Sequence, residues 1–127
     1  MDIYREIILD HYKNPRNFGH LKKADAVVEE GNVTCGDRIS MEIAVTADSK
    51  GVMHIADIRF SGEGCAISQA SASMLTERVM QMSLSDAMKL KSADIIEMIG
   101  TTLTPSRMKC GVLPLEVLQK AIVSLKK

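Results

Sequence analysis

The sequence lacks several features that each mark a class of protein. Its 16 basic residues balance 16 acidic ones, whereas proteins that bind nucleic acids normally carry a basic excess. No apolar run reaches the length of about 18 residues that a membrane-spanning helix needs. The charged start, Met1 to Glu6, is unlike the apolar stretch of a signal peptide. We therefore expect a cytoplasmic protein with neither a nucleic-acid partner nor a membrane partner.

Tryptophan is absent, and cysteine is scarce. Three cysteines, an odd number, cannot form a closed set of disulfides. They are separated by 29 and 44 residues, so the sequence has no pair with the close spacing of a zinc ribbon or a thioredoxin-type site. Nine methionines and only four aromatic residues indicate a core in which methionine partly takes the place of aromatic side chains.

Hydrophobic periodicity and turn residues predict the order of helices and strands. An amphipathic helix is expected at 2–13 and a loop at 14–19. Strands are expected at 25–30, 38–46 and 52–60, the last two joined as a hairpin. Helices are expected at 65–82, from Ser83 to about 90, from Ser92 to Gly100, and at 111–126, with a loop at 101–109 and Pro114 in the first turn of the last helix.

Strands grouped before helices are typical of an α+β domain. We expect a three-stranded antiparallel sheet, with the N-terminal helix and several C-terminal helices packed on one face. The chain shows no internal repeat and no linker, so residues 1–127 are interpreted as one domain.

Cys35, Cys65 and Cys110 all lie next to predicted ends of helices or strands. Asp37 follows Cys35 closely, and glycines stand beside each cysteine. Cys65 and Cys110 are expected at helix N-termini, where the helix dipole stabilises a thiolate. A site built from Cys35, Asp37, Cys65 and Cys110 suits tetrahedral zinc or the protein side of an iron–sulfur cluster. The alternative is three separate cysteines acting as small buried hydrophobes.

Three segments carry a family resemblance. They are residues 34–38 (Thr-Cys-Gly-Asp-Arg), 62–68 (Gly-Glu-Gly-Cys-Ala-Ile-Ser) and 109–110 (Lys-Cys). Together with residues 8–17 and 70–76, they resemble the iron–sulfur cluster scaffold family of the IscU, SufU and NifU N-terminal type. The resemblance extends over essentially the whole chain.

The resemblance implies a function and a set of partners. Cys35, Asp37, Cys65 and Cys110 would be the ligands of a transient [2Fe–2S] cluster, or of zinc in the cluster-free form. A pyridoxal-phosphate (PLP)-dependent cysteine desulfurase would deliver sulfur to Cys35 or Cys110, and apo-proteins would receive the cluster. The protein would act as an assembly scaffold and not as an enzyme, either as a monomer or as a cluster-bridged dimer.

The sequence departs from the family patterns in three places. Lys109 stands where the IscU type has a histidine, and residues 103–107 keep only part of the motif that an Hsp70-type chaperone recognises. The residues around Cys65 and Lys109 resemble the SufU type. The long insertion that this type has between the second and third cysteine is absent. The rival interpretation is therefore a zinc-bound sulfur acceptor, a SufU-type sulfurtransferase that activates a desulfurase.

The three histidines complete the list of candidate ligands. His11 is expected to pack in the core, and Ser71 and Ser73 to allow close helix packing. The sequence shows no partner for His20 or His54.

Overall fold

The computed structural model describes residues 3–32, 36–100 and 104–125. It confirms the expected α+β architecture, with one helix before a three-stranded antiparallel sheet and four helices after it. The elements are α1 (Ile3–Lys13), β1 (Ala26–Asn32), β2 (Asp37–Ala47), β3 (Met53–Glu63), α2 (Ala66–Val79), α3 (Leu84–Met88), α4 (Ser92–Ile99) and α5 (Pro105–Leu125).

The sheet has the order β1-β2-β3, so the central strand is β2. Its alternate residues Ile39, Met41 and Ile43 are fully buried, as expected for a strand with one face on the core. A register shift opposite Ala44 and Val45 places Asp57 and Ile55 against these two residues. This irregularity lets Ile55 and Ile58, three residues apart, both reach the core.

The long helices α2 and α5 cover the core face of the sheet. Helix α5 packs on β1 and β2, α2 packs on β3 and on α5, and α1 packs on α2. Leu75 of α2 and Leu118 of α5 share one buried cluster with the strand isoleucines. Within the described residues, no helix is both long and apolar enough to cross a bilayer.

Two of the predicted helix boundaries are confirmed by their caps. The Ser83 side chain accepts a hydrogen bond from the Asp86 N–H at 3.1 Å, which starts α3. Gly100 ends α4 in the left-handed conformation, with φ of 82°, a conformation that glycine adopts without steric cost.

The start of the last helix was predicted wrongly. Helix α5 begins at Pro105, whereas the sequence predicted a loop to 109 and a helix from 111. Thr104 precedes the helix, and its side-chain oxygen accepts the Arg107 N–H at 3.4 Å, while its carbonyl accepts the Met108 N–H at 2.9 Å. A threonine cap followed by proline in the first helical position is a favourable start. Pro114 consequently lies in the interior of α5 and not in its first turn.

Candidate metal centre

Three side chains of the predicted site lie together. One ligand atom from each of Asp37, Cys65 and Cys110 falls within a group whose members are all within 4.8 Å of one another. Asp37 is the first residue of β2, Cys65 precedes α2, and Cys110 lies in the second turn of α5. Three separate elements therefore converge on one point. Cys35, the fourth predicted ligand, lies outside the described residues.

Asp37 is held by the backbone at the start of α2. The Cys65 N–H donates to Asp37 Oδ1 at 2.8 Å, and Asp37 Oδ2 lies 4.0 Å from Cys65 Sγ. The Cys65 side chain makes no capping hydrogen bond, so the Asp37 carboxylate supplies a partner that the first turn of a helix needs. Asp37 is 3% exposed, and one of its oxygens is directed toward the thiol.

Gly64 makes the close approach between Asp37 and Cys65 possible. Its φ is 152°, and a Cβ added there would overlap Asp37 Oδ1 and lie 2.8 Å from Asp37 Cγ. Any side chain would displace the carboxylate. The glycine before Cys65 therefore gives room for the Asp37 carboxylate.

Cys110 is 1% exposed and is the sixth residue of α5. The expectation that it starts a helix is therefore wrong, and of the two described cysteines only Cys65 lies at a helix N-terminus. The neighbouring turn is fixed by Ser71 of α2, whose hydroxyl donates to the Gly111 carbonyl at 2.6 Å in a buried position. This bond ties the two helices that carry the two described cysteines.

The donor set fits a metal ion or cluster. Two sulfurs and a carboxylate oxygen are ligands that zinc accepts, and thiolates hold iron–sulfur clusters. Tetrahedral zinc bonds of this kind place ligand atoms about 3.3–3.8 Å apart. Binding by all three atoms would therefore need a contraction of at most about 1.5 Å from the 4.8 Å limit.

Gln69 is a residue near the site that sequence reasoning missed. Its N–H donates to the Cys65 carbonyl at 3.2 Å, so it lies one helical turn beyond Cys65. The side chain is buried, and its Nε2 has no hydrogen-bond partner. Among the described residues it is the only buried side-chain nitrogen or oxygen in that state. A lone glutamine in a predicted helix gives no signal of this kind in the sequence.

His11 lies in the core, as expected, and belongs to a buried polar cluster. His11 Nδ1 is 2.7 Å from Ser73 Oγ, and Ser73 Oγ also accepts the Arg16 N–H at 2.9 Å. Glu77 lies 3.8 Å from His11 Nε2. Burial, more than the nearby Arg16 charge, lowers the pKa of His11. Ser73 has no exposed surface, so this serine–histidine–glutamate group joins α1 to α2 and offers no accessible nucleophile.

The other two histidines have carboxylate partners that the sequence did not show. His20 bonds to Glu42, and this hydrogen bond lowers the pKa of Glu42. His54 Nε2 is 2.9 Å from Asp48 Oδ2, and that bond raises the pKa of His54. Within the described residues, no histidine belongs to the group formed by Asp37, Cys65 and Cys110.

A cavity of about 710 Å³ lies at the far end of the sheet, beside the β2–β3 turn. It is lined mainly by apolar side chains, namely Val45, Val52, Met53, Leu84, Met88 and Leu125. None of the candidate ligands lines it, so it is separate from the chemistry described above.

Comparison with known proteins gives consistent matches over nearly the whole chain. The sequence profile of the NifU-like N-terminal domain matches residues 3–127. The zinc-dependent sulfurtransferase SufU of Bacillus subtilis is 38% identical over an alignment 137 positions long. The alignment covers 94% of this chain and 89% of the relative. The iron–sulfur cluster assembly scaffold protein IscU of Aquifex aeolicus is 40% identical over 119 residues, covering 94% and 73%.

The fold also matches a solved structure. A crystal structure of a protein described as hypothetical superposes with a TM-score of 0.79 at 33% sequence identity. The match covers 95% of this chain and 97% of the other.

Proposed function

Because the chain belongs to the iron–sulfur cluster scaffold family of NifU-like N-terminal domains, we propose that it assembles a transient iron–sulfur cluster and passes it to apo-proteins. The cargo is a [2Fe–2S] cluster held by Cys35, Asp37, Cys65 and Cys110. Residues 1–127 act as one scaffold domain, and the protein turns over no small-molecule substrate of its own.

The observation that carries the proposal is the convergence of Asp37, Cys65 and Cys110 from three elements. Soft thiolates bind iron–sulfur clusters strongly, whereas a carboxylate oxygen is a harder and weaker ligand. A site with three sulfurs and one carboxylate therefore holds a cluster less firmly than four thiolates do. This property suits a protein that must release its cargo.

The sulfur would come from a PLP-dependent cysteine desulfurase that carries a persulfide. A scaffold thiolate attacks the outer sulfur of that persulfide, so that the sulfur moves to the scaffold and the desulfurase cysteine leaves as a thiolate. Cys35 and Cys110 are the candidate acceptors. Cys110 is 1% exposed, so sulfur transfer to it requires a movement that exposes its thiol.

The test is anaerobic reconstitution with ferrous iron, cysteine and a cysteine desulfurase. We expect visible absorption of a cluster together with bound iron and sulfide. Cys65→Ala should abolish the absorption, because a soft ligand is lost. Ser124→Ala, which changes a surface turn of α5 where the hydroxyl bonds only within its own helix, is the control and should load normally. A wild-type protein that gains no cluster absorption, in conditions that load a related scaffold, would contradict the proposal.

A second candidate function is that of a zinc-bound sulfur acceptor. It is favoured by the 38% identity to a protein named as a zinc-dependent sulfurtransferase and by Lys109, which is exposed beside the buried Cys110. Metal analysis of protein purified without air separates the two functions. One tightly bound zinc, with strong stimulation of desulfurase turnover and no cluster transfer, would support the second function over the first.

A further inference from the structure

We propose that the Gln69 side-chain amide donates a hydrogen bond to a sulfur atom held at the Asp37–Cys65–Cys110 site, and so positions and stabilises the bound metal or cluster. The inference rests on the proposed function, since it requires that the site be loaded. It makes Gln69 a positioning residue and not a ligand.

Gln69 lies on α2, one helical turn beyond Cys65. Its backbone N–H bonds to the Cys65 carbonyl at 3.2 Å, so the two residues occupy the same helix face, one turn apart. Side chains on an α-helix lean toward its N-terminus and cover the turn before their own Cα. From this general geometry we expect the long Gln69 side chain to extend toward the turn of Cys65.

The amide nitrogen of the Gln69 side chain is a buried donor without an acceptor. Gln69 is 8% exposed, and Nε2 is buried without a hydrogen-bond partner. Leaving such a donor unsatisfied is unfavourable, and nearly all buried polar groups in proteins have a partner. An orphan donor on a residue one helical turn from the candidate ligand Cys65 indicates that its partner arrives with the cargo.

Polar groups around Cys65 already have hydrogen-bond partners of their own. Asp37 Oδ1 already accepts the Cys65 N–H, and the Ser68 hydroxyl already donates to the Cys65 carbonyl at 3.1 Å. Sulfur that carries negative charge, as a metal-bound thiolate or a cluster sulfide, accepts N–H hydrogen bonds, and such bonds to sulfur tune the properties of clusters. The Gln69 amide is a nearby donor that has no other hydrogen-bond partner.

The test uses two variants of the buried amide. Gln69→Met keeps the length of the side chain and removes the donor, and Gln69→Glu replaces the donor by an acceptor with negative charge. Zinc affinity is measured by competition with a chromophoric chelator. The sulfur-to-metal charge-transfer band of the Co²⁺-loaded protein, together with the thermal midpoint of the metal-free protein, gives a readout independent of activity.

Gln69→Met is expected to stabilise the metal-free protein and to weaken metal binding. Gln69→Met should raise the thermal midpoint of the metal-free protein, because an unsatisfied buried donor is removed. It should weaken zinc binding about fivefold, which corresponds to one ordinary hydrogen bond, and shift the cobalt charge-transfer band to lower energy. Gln69→Glu should weaken binding further, because a second negative charge faces the thiolates.

Gln119→Met is the matched control. The Gln119 amide donates to the Leu90 carbonyl at 2.9 Å, at the end of α3 and away from the site. This variant should lower the thermal midpoint and leave zinc affinity and the cobalt spectrum unchanged. Equal zinc affinity in wild type and Gln69→Met, or a lower thermal midpoint of the metal-free variant, would overturn the inference. If the wild-type protein binds neither zinc nor a cluster, the proposed function itself is wrong.

Discussion

The two oxygens of Asp37 serve different purposes. Oδ1 accepts the Cys65 N–H and thereby caps α2, while Oδ2 faces the Cys65 thiol. A substitution that removes both oxygens would remove the helix cap and the ligand together, so their separate effects could not be measured. The two effects can be separated, because asparagine retains one oxygen in the same position.

We predict that Asp37→Asn slows the transfer of a cluster to apo-ferredoxin, because the exchangeable carboxylate ligand is lost. The unfolding free energy should change little, since the amide oxygen still accepts the Cys65 N–H. Asp37→Ala should slow transfer as well and should also destabilise the protein by about 1–2 kcal/mol through loss of the cap. Circular dichroism follows the transfer, and urea unfolding gives the stability. A transfer rate in Asp37→Asn equal to or above that of wild type would remove Asp37 from the site.

Gly64 provides a second prediction at the scale of single residues. Gly64→Ala should reduce zinc affinity by more than about tenfold, as the loss of a group that orients a ligand does, because the new Cβ displaces the Asp37 carboxylate. The measurement is chelator competition, with urea unfolding in parallel.

Gly19→Ala is the control for that substitution. Gly19 also has a positive φ, of 129°, but a Cβ added there meets nothing within 4 Å. Both variants suffer backbone strain of about 1 kcal/mol, so both should be destabilised. Only Gly64→Ala should also show a reduced zinc affinity. Equal zinc affinity in the two variants would show that the position of the carboxylate is unimportant.

At the level of residues, local patterns and resemblance predicted part of the site. The motifs pointed to Asp37, Cys65 and Cys110, and the structure places these three together. The orphan amide of Gln69 and the pairing of His11 with Ser73 were not predictable, because both depend on which residues meet after folding. His11 and Ser73, for example, are 62 positions apart.

At the scale of helices and strands, the main error was the beginning of α5. The sequence contained the signal, since Thr104 before Pro105 is a favourable cap and first position. Pro114 led to the prediction that α5 starts later, because proline is usually excluded from helix interiors. Tertiary packing on β1, β2 and α2 stabilises the helix through Pro114, and packing of that kind cannot be read from local sequence.

The bond from Ser71 to the Gly111 carbonyl gives a prediction for the α2–α5 pair. Ser71→Ala removes a buried hydroxyl donor and should reduce the unfolding free energy by about 1–2 kcal/mol. It should also weaken zinc binding, since the turn that carries Cys110 loses its tie to α2. Ser124→Ala removes a hydroxyl that bonds within α5 at 2.7 Å, and it should leave zinc binding intact. If Ser71→Ala loses stability but binds zinc as tightly as wild type, the tie does not set the position of Cys110.

For the molecule as a whole, two histidines give the metal-free protein opposite pH dependences. Burial lowers the pKa of His11, so the unfolded chain binds more protons than the folded one below the ordinary value of about 6.5. The stabilisation by neutral His11 is therefore present above that pH and is lost on acidification. Asp48 raises the pKa of His54, so the stabilisation by charged His54 is present below about 6.5 and is lost as the pH rises.

We predict that His11→Gln flattens the decrease of the thermal midpoint between about pH 7 and about pH 5. The variant is less stable than wild type near neutral pH and approaches it in acid. His54→Gln should behave in the opposite way, with a deficit that is larger in acid than in weak base. Thermal scans of metal-free protein across this range measure both. A constant deficit for His11→Gln at every pH would show that folding does not change the pKa of His11.

The convergence of β2, α2 and α5 on one point also bears on the order in which the chain folds. The β2–β3 hairpin and the start of α2 bring Asp37 to Cys65 across 28 residues. Cys110 joins them only when α5 docks on strands far earlier in the chain. The pairing of Lys120 with Glu30, for example, spans 90 residues. Contacts of such large sequence separation close late, because the loop entropy must be overcome first. We therefore expect the complete group of Asp37, Cys65 and Cys110 to form late in refolding, after α5 has docked.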